Sequence, residues 1–234
     1  MYQMKPAKWD DIWKNNPRIA TVTERGDFQL LYAKSLESNM RPYHISKTVE
    51  RWTYNLDFRP DVGEIYLTDA EKDFGARYAG RVIVEPNIKA GASPNKQWGW
   101  AKWAQLASLM RGAGIRVTQL GPVGTTMLPG ADLVVTSNFR LACAVLARAK
   151  ACVLHEGGTH HAAAALGIPG VVIFGGYIAV ETTGYSMHRN LGVHVGEACG
   201  MRTPCRHCAD LMDSISPEAV LNELSDVMNC KVPA

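Results

Sequence analysis

From residue 80 onward, short apolar runs rich in β-branched residues alternate with segments whose apolar positions recur every three or four residues. The runs fall at 81–85 (RVIVE), 115–120 (IRVTQL), 132–136 (DLVVT), 151–154 (ACVL), 170–174 (GVVIF) and 192–195 (GVHV). Their length and near-continuous apolarity predict strands buried on both faces of a parallel sheet. Between the first two, Trp100, Trp103, Leu106, Ala107 and Met110 sit at helical spacing, and Gly112 and Gly114 stop the pattern. SNFRLACAVLARA (137–149) predicts a second helix, capped by Ser137 or Asn138. ISPEAVLNELSDVM predicts a C-terminal one, with Ser216 as cap and Pro217 in the first position. This alternation implies a doubly wound, Rossmann-like α/β domain over 81–234.

Residues 1–80 follow a different rhythm. IATVT (19–23), FQLLYAK (28–34) and the run at 64–67 read as strands. TDAE (68–71) is a capping box, with Thr68 capping and Glu71 reaching back. The pattern predicts a small α/β lobe, about half of a normal nucleotide-binding domain.

Composition narrows the class without naming it. The chain has 234 residues, 47% hydrophobic and 20% charged, an ordinary globular balance. A net charge of +3 permits an anionic ligand and does not call for nucleic acid. No run reaches the roughly 20 apolar residues of a membrane span, and MYQMKPAKWDDIWKNNP lacks the apolar centre of a signal peptide. A cytoplasmic location is the expectation.

The concentration of unusual residues lies in HEGGTHHAAAALGIPG (155–170), directly after a strand. Unpaired N–H groups at a helix start, with glycines allowing close approach, form a site for phosphate. Gly157 and Gly158 permit that approach, Thr159 adds a hydroxyl, and Glu156 suits a ribose diol. A tight strand-to-helix turn with a small-residue helix is the simpler alternative. His155, His160 and His161 do not complete a metal set, because two are adjacent and no carboxylate spacing joins them. A second loop, EPNIKAGASPNKQWGW, carries Lys89 and Lys96, either of which can reach a diphosphate as a mobile point charge. Two solvated lysines are the competing reading. Cys199, Cys205 and Cys208 form a C-x5-C-x2-C pattern beside His207 and Cys230, which can hold a structural zinc or can pack as reduced thiols. Cys143 and Cys152 read as core residues.

Together these segments resemble glycosyltransferase family 9, the ADP-heptose:lipopolysaccharide heptosyltransferases and their relatives. The family's strand-Asp-Thr-Gly-x-x-His-x-Ala-Ala-Ala-Leu-Gly-x-Pro run is similar to Glu156 through Pro169. Its Lys-x-Trp-Pro segment looks like Lys96-Gln97-Trp98-Gly99. FGGYIAVETTGY resembles its Phe-Gly-Pro loop, and CGMRTPCRHC before Ile-Ser-Pro-Glu resembles its cysteine-bearing tail. The resemblance implies a GT-B-like fold, with a reduced N-terminal lobe (1–80) ahead of a nucleotide-sugar-binding domain (81–234). It implies metal-independent transfer of a sugar from a nucleotide-diphosphate sugar to a hydroxyl acceptor, a saccharide or lipid-linked saccharide. It places Lys89, Lys96, Glu156, Gly157, Gly158, Thr159, His161, Gly175 and Gly176 at the donor, with Lys96 aiding the leaving group and no bound cofactor.

Two positions depart from the family. Glu156 stands where it has Asp, and the Gly-Asp loop that carries its base has no counterpart. His44, then Asp11, with Asp10 behind them, are the replacements the residues offer. Two alternatives remain open: an acceptor that is a modified base in DNA, or a non-catalytic nucleotide-sugar-binding subunit whose partner chain or second copy completes the acceptor side.

Overall fold

Among the described residues, a single helical turn (Trp9–Trp13) precedes a short antiparallel pair, β1 (Tyr43–Ile45) and β2 (Trp52–Tyr54). Six parallel strands follow: β3 (Val82–Glu85), β4 (Val117–Gly121), β5 (Asp132–Val135), β6 (Ala151–His155), β7 (Gly170–Gly175) and β8 (His188–Gly192). The helices are α1 (Asp69–Ala76), α2 (Trp100–Gly112), α3 (Phe139–Leu146), α4 (Gly158–Ala165), α5 (Val180–Thr183), α6 (Arg206–Ser214) and α7 (Pro217–Asn229). These come from a computed structural model that describes residues 9–19, 43–45 and 50–229. The strands expected within 19–23 and 28–34 lie outside the described residues, apart from Ile19, and so does Cys230.

The sheet order is β5-β4-β3-β6-β7-β8. It is the doubly wound order in which the chain runs outward from β3 and then returns to start again at β6. Alternation along β3 shows why the sheet needs cover on both sides. Val82 and Val84 join one buried cluster with Trp98, Trp103, Leu106 and Met110, which α7 closes through Val220 and Leu224. Ile83 joins the other, with Leu120, Leu154 and the inner faces of α3 and α4. Cys143 and Cys152 lie in this second layer, and burial pushes both thiols up to about 12.

Local rules account for the helix ends. Asn138 Oδ1 accepts from the Leu141 N–H at 3.0 Å, and Ser216 Oγ accepts from the Ala219 N–H at 3.1 Å. Thr68 and Glu71 form the expected box, at 3.2 and 2.8 Å. Glu71 does more than cap: it also takes two charged hydrogen bonds from Arg140, which is buried on α3. Helix α1 then lies close on α3 because Gly75 has no side chain; a Cβ there would stand 1.9 Å from the Ala144 carbonyl oxygen.

Two elements differ from expectation. The run at 64–67 pairs with no strand among the described residues. Its Ile65 and Leu67 pack on the second cluster, and Arg140 donates to the Tyr66 carbonyl at 2.5 Å, so packing on α3 replaces a ladder. The last strand occupies 188–192 instead of 192–195. Its Arg189 is exposed at the sheet edge, so it lacks the apolar continuity of a doubly buried strand. Beyond Gly192 the chain is drawn off by bonds from the Val193 N–H to Gly175 O and from the Val180 N–H to Val193 O.

The β1–β2 hairpin is tied to the C-terminal part of the chain. Trp52 N–H donates to Gly200 O at 2.8 Å, Arg202 N–H to Glu50 O at 2.8 Å, and Tyr54 OH to Tyr177 O at 2.5 Å. Among the described residues, no helix is long and apolar enough to cross a membrane.

Candidate functional site

The point where the sheet reverses direction lies between β3 and β6, and their carboxyl ends converge there. Glu85 ends β3, level with Leu154 of β6. His155 ends β6, Glu156 and Gly157 follow, and α4 opens at Gly158. In open α/β sheets this crevice is where ligands bind.

The histidines are less alike than their spacing suggests. His155 is buried, and its Nε2 accepts from the Trp98 backbone N–H at 3.2 Å and from the Trp103 indole at 3.4 Å. Burial, aided by the Lys96 charge, pulls its pKa down to about 4, so it is the neutral acceptor those donors require. His160 is fully buried and neutral, held down to about 3 by burial and by His161, and its Nδ1 accepts from the Gly157 N–H at 3.2 Å. His161 is the one that faces outward. Its Nδ1 lies 2.8 Å from the Tyr185 hydroxyl and its Nε2 4.0 Å from Glu156.

Lys96 arrives from the β3–α2 loop and forms an ion pair with Glu156. Burial opposes ionisation of Glu156, but the Lys96 charge and hydrogen bond outweigh it and hold the carboxyl below its ordinary range. Lys96 Nζ also stands 5.4 Å from the centroid of the Tyr177 ring. The turn itself is open. A Cβ at Gly157 or Gly158 would meet no protein atom within 4 Å, so packing does not require glycine at either place. The N–H groups of Gly158, Thr159 and His160 belong to the first helical turn, which has no carbonyl one turn earlier to receive them.

Glu85 is a residue that sequence reasoning passed over. Burial raises its pKa, while a hydrogen bond from the Thr159 hydroxyl opposes the rise. The available signal was a carboxylate closing an otherwise apolar strand just before Pro86. Tyr54, Tyr177 and Tyr185 were also missed; they reach the cleft from segments distant in sequence.

The structure separates the other candidates. Lys89 is exposed on its loop and makes no side-chain bond among the described residues. Gly175 and Gly176 lie against α6: a Cβ would stand 2.6 Å from Met212 at the first and 2.5 Å from Leu211 at the second. Close packing accounts for Gly176, and packing together with a left-handed backbone (φ 61°) accounts for Gly175. Asp10 and Asp11 belong to a single turn, Trp9–Trp13, and Asp11 lies in the field of Arg140 and Cys143. His44 is the middle residue of β1, level with Thr53. Donor atoms of Glu156, His160 and His161 lie within 4.8 Å of one another. Lys96, Gly157 and Tyr185 already engage them, and the Lys96 ammonium repels a cation. Cys199, Cys205 and Cys208 are gathered with His207, packed with Tyr177.

The six-stranded parallel sheet is the Rossmann-like type of domain found in GT-B glycosyltransferase structures. The sequence matches no family model and no curated protein. Solved structures do match. An ADP-heptose LPS heptosyltransferase II from E. coli is 18% identical with a TM-score of 0.55, over 74% of this chain and 56% of that one. A family 9 glycosyl transferase from Veillonella parvula is 13% identical with a TM-score of 0.53, over 71% and 53%. The iron-containing dodecameric glycosyltransferase TibC from enterotoxigenic E. coli is 15% identical with a TM-score of 0.51, over 76% and 49%. TibC is also known in complex with ADP-D-β-D-heptose. This chain shares the fold of family 9 structures and spans about half of their length.

Proposed function

We propose that the chain binds a nucleotide-diphosphate sugar at the β3/β6 crevice and transfers the sugar to a hydroxyl acceptor, in the manner of heptosyltransferases. One observation carries the reading. At the sheet's reversal point, an open two-glycine helix start and a lysine from the opposite loop face the same space, and both suit a diphosphate. The complex of TibC with a nucleotide heptose supports the donor class.

In this reading the Gly158–His160 amides and Lys96 receive the negative charge that grows on the diphosphate as it departs. The acceptor oxygen attacks the anomeric carbon, the bond from that carbon to the diphosphate oxygen breaks, and the electron pair leaves with the diphosphate. The acceptor proton passes to a base, for which His44 and then Asp11 are the proposed residues. Glu156, once Lys96 turns to the phosphates, is free to accept from a ribose hydroxyl. His161 and Tyr185 line the outer edge of the same turn. No divalent cation enters the step, because amides and lysine supply the phosphate contacts.

The experiment is thermal unfolding against a panel of nucleoside diphosphates and nucleotide-diphosphate sugars. A ligand that binds only the folded chain at a hundred times its Kd stabilises it by about 2.7 kcal/mol. The reading expects such a rise for one nucleobase series, and its loss in Gly158→Val. A flat response across the panel would sink it.

A further inference from the structure

Packed with Tyr177, four side chains with metal-binding atoms converge. Cys199 follows the sheet, Cys205 caps α6, and His207 and Cys208 lie in the first turn of that helix. Their donor atoms all fall within 4.8 Å of one another. The Cys199 and Cys208 sulfurs are 2.9 Å apart, and Cys208 Sγ is 4.0 Å from His207 Nδ1. A tetrahedral zinc with Zn–S of about 2.3 Å sets its sulfurs about 3.8 Å apart, inside the range these atoms span.

We propose that Cys199, Cys205, His207 and Cys208 bind one structural zinc ion. Three thiolates and an imidazole form a closed Cys3His set, with no open position for water or substrate. Such a set serves structure and not catalysis. The surroundings fit. Met201 N–H points at Cys199 Sγ at 3.4 Å, the kind of hydrogen bond that orients a ligating sulfur. Gly176 has no side chain where His207 lies; a Cβ there would come within 3.1 Å of Nδ1.

The neighbouring bonds show what the ion would hold in place. Asn95 Nδ2 donates to Met201 O at 2.7 Å and to Thr203 O at 2.8 Å, and its Oδ1 accepts from the Cys205 N–H at 2.9 Å. Cys199 N–H donates to Gly176 O and Gly200 N–H to Tyr177 O. The segment that the zinc closes is therefore the support for Asn95, next to Lys96, and for Tyr177, whose ring faces Lys96.

The test uses the full chain, purified without chelator. Elemental mass spectrometry should find about one zinc per chain, lost in Cys205→Ser and kept in His207→Cys, which rebuilds a four-sulfur site. Replacement by cobalt should give the ligand-field spectrum of a tetrahedral, sulfur-rich ion. Stripping the zinc should lower Tm by at least about 4 °C and speed amide exchange over Asn95–Trp98. Four outcomes overturn the assignment: no bound metal and no tetrahedral cobalt spectrum, stoichiometric iron in place of zinc, a Cys199–Cys208 disulfide in the native protein, or zinc whose removal leaves both Tm and exchange unchanged.

Discussion

Lys96 and Glu156 stand 60 residues apart in sequence and form an ion pair across the crevice between β3 and β6. Their side chains are only 16% and 6% exposed, so neither charge is well served by water once the other is gone. The pair fastens the loop over the helix start, and in the proposed reading a diphosphate would compete with Glu156 for the same ammonium.

Lys96→Met should therefore cost about 3 kcal/mol of stability in urea unfolding, because Glu156 is left charged and enclosed. Adding Glu156→Gln should return at least half of that loss. Single-variant losses that simply add up would show that the two residues are not coupled.

The glycines at the mouth of α4 and on α1 should behave oppositely. Gly158→Val should change stability by less than about 0.5 kcal/mol, since the added side chain meets no protein atom. The same variant should weaken nucleoside diphosphate binding at least tenfold, about 1.4 kcal/mol in calorimetry. Gly75→Ala should lose about 2–3 kcal/mol against the Ala144 carbonyl and leave the helix mouth unaltered. Unchanged affinity in Gly158→Val would place the phosphate elsewhere.

Acid should weaken the fold before any carboxylate pair is lost. His155 and His160 have pKa values lowered to about 4 and about 3 from an ordinary 6.5. Below pH 6.5 the unfolded chain takes up protons that the folded chain refuses, so this stabilisation is complete above 6.5 and falls away toward 3. Glu71, lowered from 4.5 to about 2 by the hydrogen bonds from Arg140, adds a loss only below 4.5. Tm should fall between pH 6.5 and 4.5, and His160→Gln should flatten that slope. A variant with the parental slope would remove His160 from the account.

Sugar transfer should not respond to added magnesium or manganese. The chain has no Asp-x-Asp pair to hold such a cation at a diphosphate. A several-fold gain in rate on adding either ion to the purified protein would contradict the amide-and-lysine reading.

The elements that were legible in the sequence are those governed by neighbours in the chain. The Thr68–Glu71 box and the Asn138 and Ser216 caps depend on residues three apart, and each formed. Strands β3, β4, β6 and β7 announced themselves because both faces are buried. Strand β8 did not, since an edge strand tolerates His188, Arg189 and Asn190. Lys96, Glu156 and the glycines were singled out one by one as candidates, yet nothing in their spacing showed that Lys96 and Glu156 pair. His155, which the sequence reading set aside as a metal ligand, is the acceptor that holds Trp98 and Trp103. Glu85 and Tyr185 gain their meaning from Thr159 and His161, contacts that no local pattern encodes.

The side chain of Asn95 makes bonds that span 106, 108 and 110 residues of chain. A polypeptide leaving the ribosome thus carries Lys96 and the whole first half of the sheet well before the segment that steadies the loop has been made. Local helices and the β3–β4 pair can form early, but the crevice acquires its final shape only when residues 201–205 arrive. Until then the lysine loop has no fixed wall. The wall against which Asn95 and its neighbour Lys96 come to rest is therefore built from chain made about a hundred residues later.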